Sequence, residues 1–343
     1  MLKVAILDDY AGAALGSADW GRLDGLAQIQ VFREHLTEDE AVERLQTFDV
    51  LCTLRDRMAM PRTLFERLPN LKLVTIVGMN LPNFDMDAAT EHGVLVVHSD
   101  PAWPKPANML NGTSELAWGL LIATVRQLSR QERRVREGLW QDTVRVILAG
   151  RRLGLLGLGN LGKRMAGYGR AFGMDVTAWS ENLTAAAAAE VGARRVEKDE
   201  LFAQADVLSI HLQLSERTRG LVGARELGLM KRDAYLVNTA RGPIVDEAAL
   251  IAALHEGRLA GAGLDVFDAE PLPANHPLLA LDNVTLSPHL GFVTHEVLSV
   301  FYGDMPEAVA AFARGDPIRV ANKQAIALAG GKGRYTAPPT TSA

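Results

Sequence analysis

Arg241 in "LVNTARGPIVDE", Glu270 in "GLDVFDAEPL" and His289 in "LSPHLG" each follow a short apolar run that reads as a β-strand. Together they supply what reversible hydride transfer between a 2-hydroxy acid and a 2-oxo acid requires. A guanidinium grips a carboxylate in a fixed fork and polarises the carbonyl beside it, which an ammonium ion does less well. An imidazole titrating near working pH gives a proton to the forming alkoxide, or removes it in oxidation. A carboxylate against the imidazole orients it and favours its protonated form. Taken singly, Arg241 reads as a helix-edge charge, Glu270 before Pro271 as a turn residue and His289 after Pro288 as a loop histidine. Their order, and their placement at strand ends where open α/β sheets bind ligands, favours the catalytic reading.

Upstream, "RRLGLLGLGNLG" sets Gly157, Gly159 and Gly162 in G-x-G-x-x-G spacing, after an apolar strand and before the helical "KRMAGYGRAFG". In that setting the first glycine permits the tight turn, the second lets backbone N–H groups approach a pyrophosphate, and the third lets helix and strand pack closely. The positive end of the helix adds to the attraction for phosphate. The next strand, "DVTAWSEN", ends at Ser180, where dinucleotide domains commonly carry an acid for the adenosine ribose. Glu181 follows at once and offers that acid, and no Lys or Arg stands between Ser180 and Gly192 to hold a 2′-phosphate. NAD is favoured, with NADP not excluded.

These residues need a scaffold of strands and helices. Short Val/Ile/Leu runs alternate with longer helical patterns, the signature of parallel strands covered on both faces. Strands are expected at Val4–Asp8, Gln30–Phe32, Val50–Thr53, Leu71–Ile76 and Val94–Val97, with helices across Thr37–Gln46 and Pro61–Leu68. Pro101, Pro104 and Pro106 then mark a linker. An amphipathic pattern from Thr113 to about Gly138 predicts one long helix. Six further strands are expected at Arg152–Leu156, Asp175–Trp179, Val207–His211, Ala234–Asn238, Gly261–Asp265 and Val284–Leu286, the number a doubly wound dinucleotide domain needs. A helical pattern from His295 to Ala313 follows, and the tail from Gly330 lacks periodicity.

Composition narrows the class. The 343 residues are 48% hydrophobic, enough for two cores, and 36 basic against 41 acidic residues give a net charge of -5. No overall positive field exists to hold nucleic acid or an anionic membrane, and the longest apolar runs, such as Leu116–Val125, stop well short of the roughly 20 residues of a membrane span. The single cysteine, Cys52, excludes an intrachain disulfide and fits a reducing compartment, with cytoplasm as the expectation. The eight histidines are scattered, His92, His98 and His211 reading as loop or strand-end residues, so no metal site is expected.

Over about residues 1–325 the chain resembles the D-isomer-specific 2-hydroxyacid dehydrogenase family, which includes phosphoglycerate, glyoxylate/hydroxypyruvate and D-lactate dehydrogenases. The motifs carrying the resemblance are "LGLLGLGNLG", "VNTARGPIVDE", "GAGLDVFDAEPLP" and "SPHLG", in that order. It implies that Arg241 binds and activates substrate, that His289 is the acid/base, and that Glu270 is its partner. It places Asp265 near the nicotinamide, the backbone of Thr239 and Ala240 against the cofactor, and Asn160 and Leu161 over the pyrophosphate. In "VGMNLPNFDMDAA", Gly78, Met79 and Asn80 match a loop that offers amides to the substrate carboxylate, although Asn80 departs from the commoner Gly-x-Gly. Arg55 in "TLRDRM" matches a position facing substrate in phosphate-using members, and reads equally as a surface charge.

The implied architecture is two Rossmann-like doubly wound α/β domains. The dinucleotide domain, 104–294, is inserted into a smaller flavodoxin-like substrate domain formed by 1–103 and 295–328, and 329–343 is a flexible tail. A cleft with two hinges would close over substrate, and a homodimer would form through the dinucleotide domains with the helix after Thr113 contributing. The alternative class is a dinucleotide sensor of the corepressor type, which keeps the same catalytic residues. A formate dehydrogenase-like branch pairs its histidine with Gln, so Glu270 argues against it.

Overall fold

The computed structural model describes residues 1–78, 83–100, 108–109 and 111–328. Met79, Asn80 and the segment 329–343 therefore lie outside the described residues. The chain divides into two compact units, Met1–Pro106 with Thr294–Ala343, and Ala107–Val293.

The first unit holds a five-stranded parallel sheet: β1 (Leu2–Ile6), β2 (Ala27–Val31), β3 (Val50–Cys52), β4 (Leu73–Ile76) and β5 (Leu95–His98), in the order β2-β1-β3-β4-β5. That is the flavodoxin-type order, with its reversal between β1 and β3. β3 and β4 are buried throughout, which is why they read as apolar runs with Thr75 as the one polar member. β1 ends at Ile6, two residues before the expected boundary, because Asp8 has a left-handed φ of 55° that no strand accepts. β2 starts earlier than expected; Gln28 and Gln30 face solvent and hide the alternation of this edge strand. The returning C-terminal segment covers the other edge. Val320 bridges antiparallel to Val97, Ala321 N–H donates to Val96 O at 2.8 Å, and Val96 N–H donates to Asn322 Oδ1 at 2.8 Å.

The second unit holds seven parallel strands: β6 (Arg152–Leu156), β7 (Asp175–Trp179), β8 (Arg194–Arg195), β9 (Val207–Ile210), β10 (Tyr235–Asn238), β11 (Gly261–Leu264) and β12 (Val284–Leu286). Their order is β12-β11-β10-β9-β6-β7-β8, reversing between β6 and β9. The expected six are present, and β8 is an addition. It is two residues long, pairing Arg194 with Thr177 and Arg195 with Ala178, too short and too charged to show a pattern. Neighbouring residues serve opposite faces: Tyr235 and Val237 enter one core with Leu153 and Leu155, while Leu236 enters the other with Leu208 and Leu264. Each such leucine contributes roughly 1.5–3 kcal/mol by leaving water.

The long helix expected from Thr113 to Gly138 is two helices, Asn111–Arg126 and Leu128–Arg136. Gln127 separates them in a left-handed conformation (φ 50°, ψ 43°). This costs a non-glycine residue about 1–2 kcal/mol. Gln127 is buried, and its side-chain oxygen accepts a hydrogen bond from the Arg145 guanidinium, which holds the break in place. Leu128–Arg136 buries none of its residues in this chain. No described helix is long and apolar enough to cross a membrane.

Candidate active site

The glycine loop follows β6 at the point where strand order reverses. Gly157 has φ 102°, and a Cβ there would lie 2.7 Å from the backbone oxygen of His211. A Cβ on Gly162 would come within 2.2 Å of Gly157 O, so both glycines are demanded by the protein's own packing. Gly159 differs: a Cβ on it would meet nothing within 4 Å. It caps the helix Asn160–Ala171 without any side-chain hydrogen bond, so the first-turn amides of Asn160, Leu161 and Gly162 are presented to an incoming anion. The loop is tied to the neighbouring strand by Gly157 N–H to Trp179 O, 2.8 Å. Just past Trp179, Ser180 is half-buried and Glu181 exposed.

At the end of β10, Asn238 shapes the next turn. Its Nδ2 donates to Arg241 O at 2.9 Å, and its Oδ1 accepts from Ala240 N–H at 3.0 Å. Thr239 is buried, and its hydroxyl has no partner among the described residues. The open space over Gly159, the uncapped helix end and this orphaned hydroxyl fit a dinucleotide. Arg241 Nη1 donates to Ala240 O at 2.6 Å. Gly242 presses on the loop after β11, where a Cβ would lie 2.1 Å from Phe267 O.

The third and fourth strand ends meet directly. Glu270 Oε2 lies 2.6 Å from His289 Nδ1, and Glu270 Oε1 accepts from Phe267 N–H at 2.9 Å. His289 holds a left-handed φ of 52°, and its ring packs edge-on to Phe292 with centroids 5.5 Å apart. Asp265 fastens the loop that carries it. Its Oδ1 accepts from Ser287 Oγ and from Leu290 N–H (2.8 Å), its Oδ2 accepts from Gly291 N–H (3.0 Å), and its backbone oxygen accepts from His289 N–H (2.9 Å). Burial pushes the Asp265 carboxyl above its ordinary value, outweighing the opposing hydrogen bonds from Ser287, Leu290 and Gly291 and the nearby His289. From the other side, Thr113 Oγ1 donates to Gly291 O at 2.7 Å.

The structure thus joins Glu270, His289 and Asp265 in one network and sets Arg241 beside the loop leading to Glu270. Sequence reasoning passed over Asn238, Ser287, Phe292 and Thr113. Asn238 and Ser287 stand within the quoted motifs beside the reactive residues, a usable signal; Thr113 is too distant in sequence to offer one. In the first unit Arg55 and Gly78 come together. Arg55 has φ 55°, its Nη1 lies 3.7 Å from where a Gly78 Cβ would stand, and its guanidinium lies 5.9 Å from the Phe301 ring centroid.

A glycine-loop sheet with a histidine–carboxylate pair at its ligand edge has the layout of a dinucleotide-dependent oxidoreductase. The model of the D-isomer specific 2-hydroxyacid dehydrogenase NAD binding domain matches residues 118–291. The chain is 34% identical over 317 residues to the glyoxylate reductase of Korarchaeum cryptofilum, covering 88% of this chain and 93% of that one. It matches the crystal structure of a phosphoglycerate oxidoreductase from Vibrio cholerae with a TM-score of 0.82 at 35% identity, over 91% of this chain and 99% of that one. It also matches a D-lactate dehydrogenase from Aquifex aeolicus complexed with NAD and lactic acid, with a TM-score of 0.69 at 26% identity, over 93% and 99% of the two chains. The chain belongs to the D-isomer specific 2-hydroxyacid dehydrogenase family. It is an oxidoreductase of that class and carries the family's NAD binding domain.

Proposed function

We propose that the protein reduces a small 2-oxo acid of glyoxylate or hydroxypyruvate size to its D-2-hydroxy acid, and runs the reverse oxidation. The observation carrying the proton chemistry is the 2.6 Å contact between Glu270 and His289. With Nδ1 turned to Glu270, Nε2 is the ring atom that exchanges a proton with the substrate oxygen. The Glu270 carboxylate stabilises the charged ring and fixes its plane. Arg241 binds the substrate carboxylate and polarises the adjoining carbonyl. Bound NADH supplies the hydride.

The cofactor rests on Gly157, Gly159, Asn160, Leu161 and Gly162, with the backbone of Thr239 and Ala240 against it and Asp265 near the nicotinamide. Glu181 at the end of β7 takes the ribose hydroxyls and disfavours a 2′-phosphate, which makes NAD the preferred form. The five-stranded unit is the substrate domain, with Arg55, Gly78, Met79 and Asn80 toward the substrate. The protein is a cytoplasmic homodimer. The apolar stretch Leu128, Val135, Leu139, Trp140, Val144 and Ile147, all exposed in the single chain, supports a second copy covering this arm. Turnover is favoured over a sensor role because the matched relatives carry the names of reductases and dehydrogenases.

The test is optical: oxidation of NADH and of NADPH with glyoxylate, hydroxypyruvate, pyruvate, phenylpyruvate and 2-oxoglutarate. Rapid NADH oxidation with the shorter acids is expected. Tight NADH binding without turnover on any of them would overturn the proposal.

A further inference from the structure

The loop that presents Glu270 is held by a second histidine–carboxylate pair. Glu270 Oε1 takes the amide of Phe267, and the next amide, Asp268 N–H, donates to Glu247 Oε2 at 3.3 Å. The other oxygen of Glu247, Oε1, lies 3.0 Å from His276 Nε2. His276 Nδ1 accepts from Leu278 N–H at 3.4 Å, in the first turn of the 3-10 helix Pro277–Ala280. A ring whose Nδ1 accepts a backbone N–H carries its proton on Nε2 and donates it to Glu247, so the neutral ring satisfies both bonds at once. Protonating Nδ1 would set two N–H groups against each other.

Glu247 opens the helix Glu247–His255, whose N-cap Asp246 accepts from Ala249 N–H at 3.0 Å. Only five residues earlier, Gly242 lies against Phe267 and Asp268 so closely that a Cβ would come 2.6 Å from Asp268 N. The same two loop residues therefore touch the turn that begins with Arg241, and Phe267 anchors Glu270. Glu247 and His276 are both mostly buried, with side chains 19% and 14% exposed. The Asp268 carboxyl is raised by burial first and by Glu247 next, with Asp246 adding to the rise and Arg219 and His276 opposing it.

We propose that Glu247 and His276 are positioning residues for the reaction. They hold the Asp268 amide, next to the Phe267 amide that Glu270 takes, so that Glu270 is held at His289 while the Arg241 turn stays in register with it. Neither touches substrate; both act through the loop. A clamp of this kind matters because misplacing a reacting group by about 1 Å can cost on the order of 100-fold in rate. The inference rests on the assignment of Glu270, His289 and Arg241 to catalysis.

The test compares Glu247→Ala, Glu247→Gln, His276→Ala and His276→Gln in the full chain, with thermal melts establishing that each is folded. Glu247→Ala and His276→Ala are expected to lower kcat by about tenfold and to move the pH midpoint of kcat/KM. His276→Gln, which can still donate to Glu247, should restore most of the loss. A purely structural role would lower the melting temperature and leave the midpoint where it was, and that result overturns the proposal. In parallel, the His289 ring is followed by NMR through a pH titration of the free protein, with its signal identified from its loss in His289→Asn. Its titration midpoint should differ between Glu247→Ala and wild type, and an unmoved midpoint in a folded variant refutes the clamp. This readout needs no turnover, so a wild type inactive on every 2-oxo acid would refute the proposed reaction while the clamp was still decided. If Glu247→Ala does not fold, His276→Ala and Glu247→Gln, which keeps one acceptor oxygen for the two donors of Asp268 and His276, bear the same comparison with the same losses expected.

Discussion

His35 and His289 stand in the two units with the same nominal arrangement, an imidazole Nδ1 facing a carboxylate. His35 Nδ1 lies 3.3 Å from Asp8 Oδ1, and His289 Nδ1 lies 2.6 Å from Glu270 Oε2. Asp8 also accepts from the Tyr10 hydroxyl at 2.9 Å, and its side chain is only 1% exposed. Glu270, by contrast, is 32% exposed, and its second oxygen is committed to a backbone amide. The His289 loop is further fastened through three hydrogen bonds to the Asp265 carboxylate. A histidine–carboxylate contact is therefore not in itself an active site. What separates the two is an accessible carboxylate with one fixed direction, and a loop whose own polar groups are spent on holding it still.

The largest effect expected is on turnover. His289→Asn should lower kcat by about 10²–10⁴ with NADH affinity little changed, whereas His35→Asn should leave kcat near wild type. Equal losses from the two would erase the distinction, and unaltered turnover in His289→Asn would remove that residue from the reaction.

Within the glycine loop the same kind of contrast separates packing from recognition. Gly162→Ala must force its Cβ from Gly157 O and should cost about 1–3 kcal/mol of stability. Gly159→Ala meets no protein atom; it should leave the melting temperature in place and weaken NADH by about tenfold, or ~1.4 kcal/mol. Loss of stability in Gly159→Ala, seen by calorimetry without cofactor, would show that the open space is needed for folding. A smaller change is expected at the adenosine end, where Glu181→Ala should narrow the ratio of kcat/KM with NADH to that with NADPH. An unmoved ratio would take Glu181 out of the ribose site.

The subtlest contrast is in the pH dependence of stability. Asp8 raises the pKa of His35 above its ordinary 6.5 through a hydrogen bond and charge. The stability this gives is complete below 6.5 and is lost as pH rises through the raised value. Burial drives His211 the other way, down to about 4. Its contribution is complete above 6.5 and is lost as pH falls toward 4. Denaturant midpoints measured across pH should flatten on the alkaline side of 6.5 in His35→Asn, and on the acid side in His211→Asn. The same slope in variant and wild type would discard the assignment.

Most of the scaffold was legible because its strands are buried on both faces. Val207–Ile210 and Tyr235–Asn238 are buried at every position and read as apolar runs interrupted only by Ser209 and closed by Asn238. β8 was hidden because two arginines on an exposed edge carry no pattern. The break at Gln127 was hidden because its cause is Arg145, eighteen positions away, rather than a local glycine or proline. The candidate residues Arg241, Glu270 and His289 stood out by type and by strand-end position, and the structure brings two of them, Glu270 and His289, into contact. Their supports did not stand out. Ser287 and Thr113 look like any surface hydroxyl until folding brings one to Asp265 and the other to Gly291 O. Side chains that act through a backbone loop leave no spacing rule behind, since the fold and not the sequence brings them together.

The C-terminal cover on β5 has a consequence for how the protein is made. Residues 107–293 form one compact unit that is contiguous in sequence, while the five-stranded sheet is closed only when residues 319–322 reach its edge. Asn322 alone serves three strand-edge or adjacent groups, accepting from Val96 N–H and donating to Val94 O and Thr90 Oγ1. During synthesis the inserted unit leaves the ribosome with all its strands before the first-made sheet has received its last one. The sheet of the first unit is thus sealed after the strands of the second are complete. A chain stopped short of Arg319 would present β5 as a bare edge, the form in which parallel sheets recruit one another into aggregates.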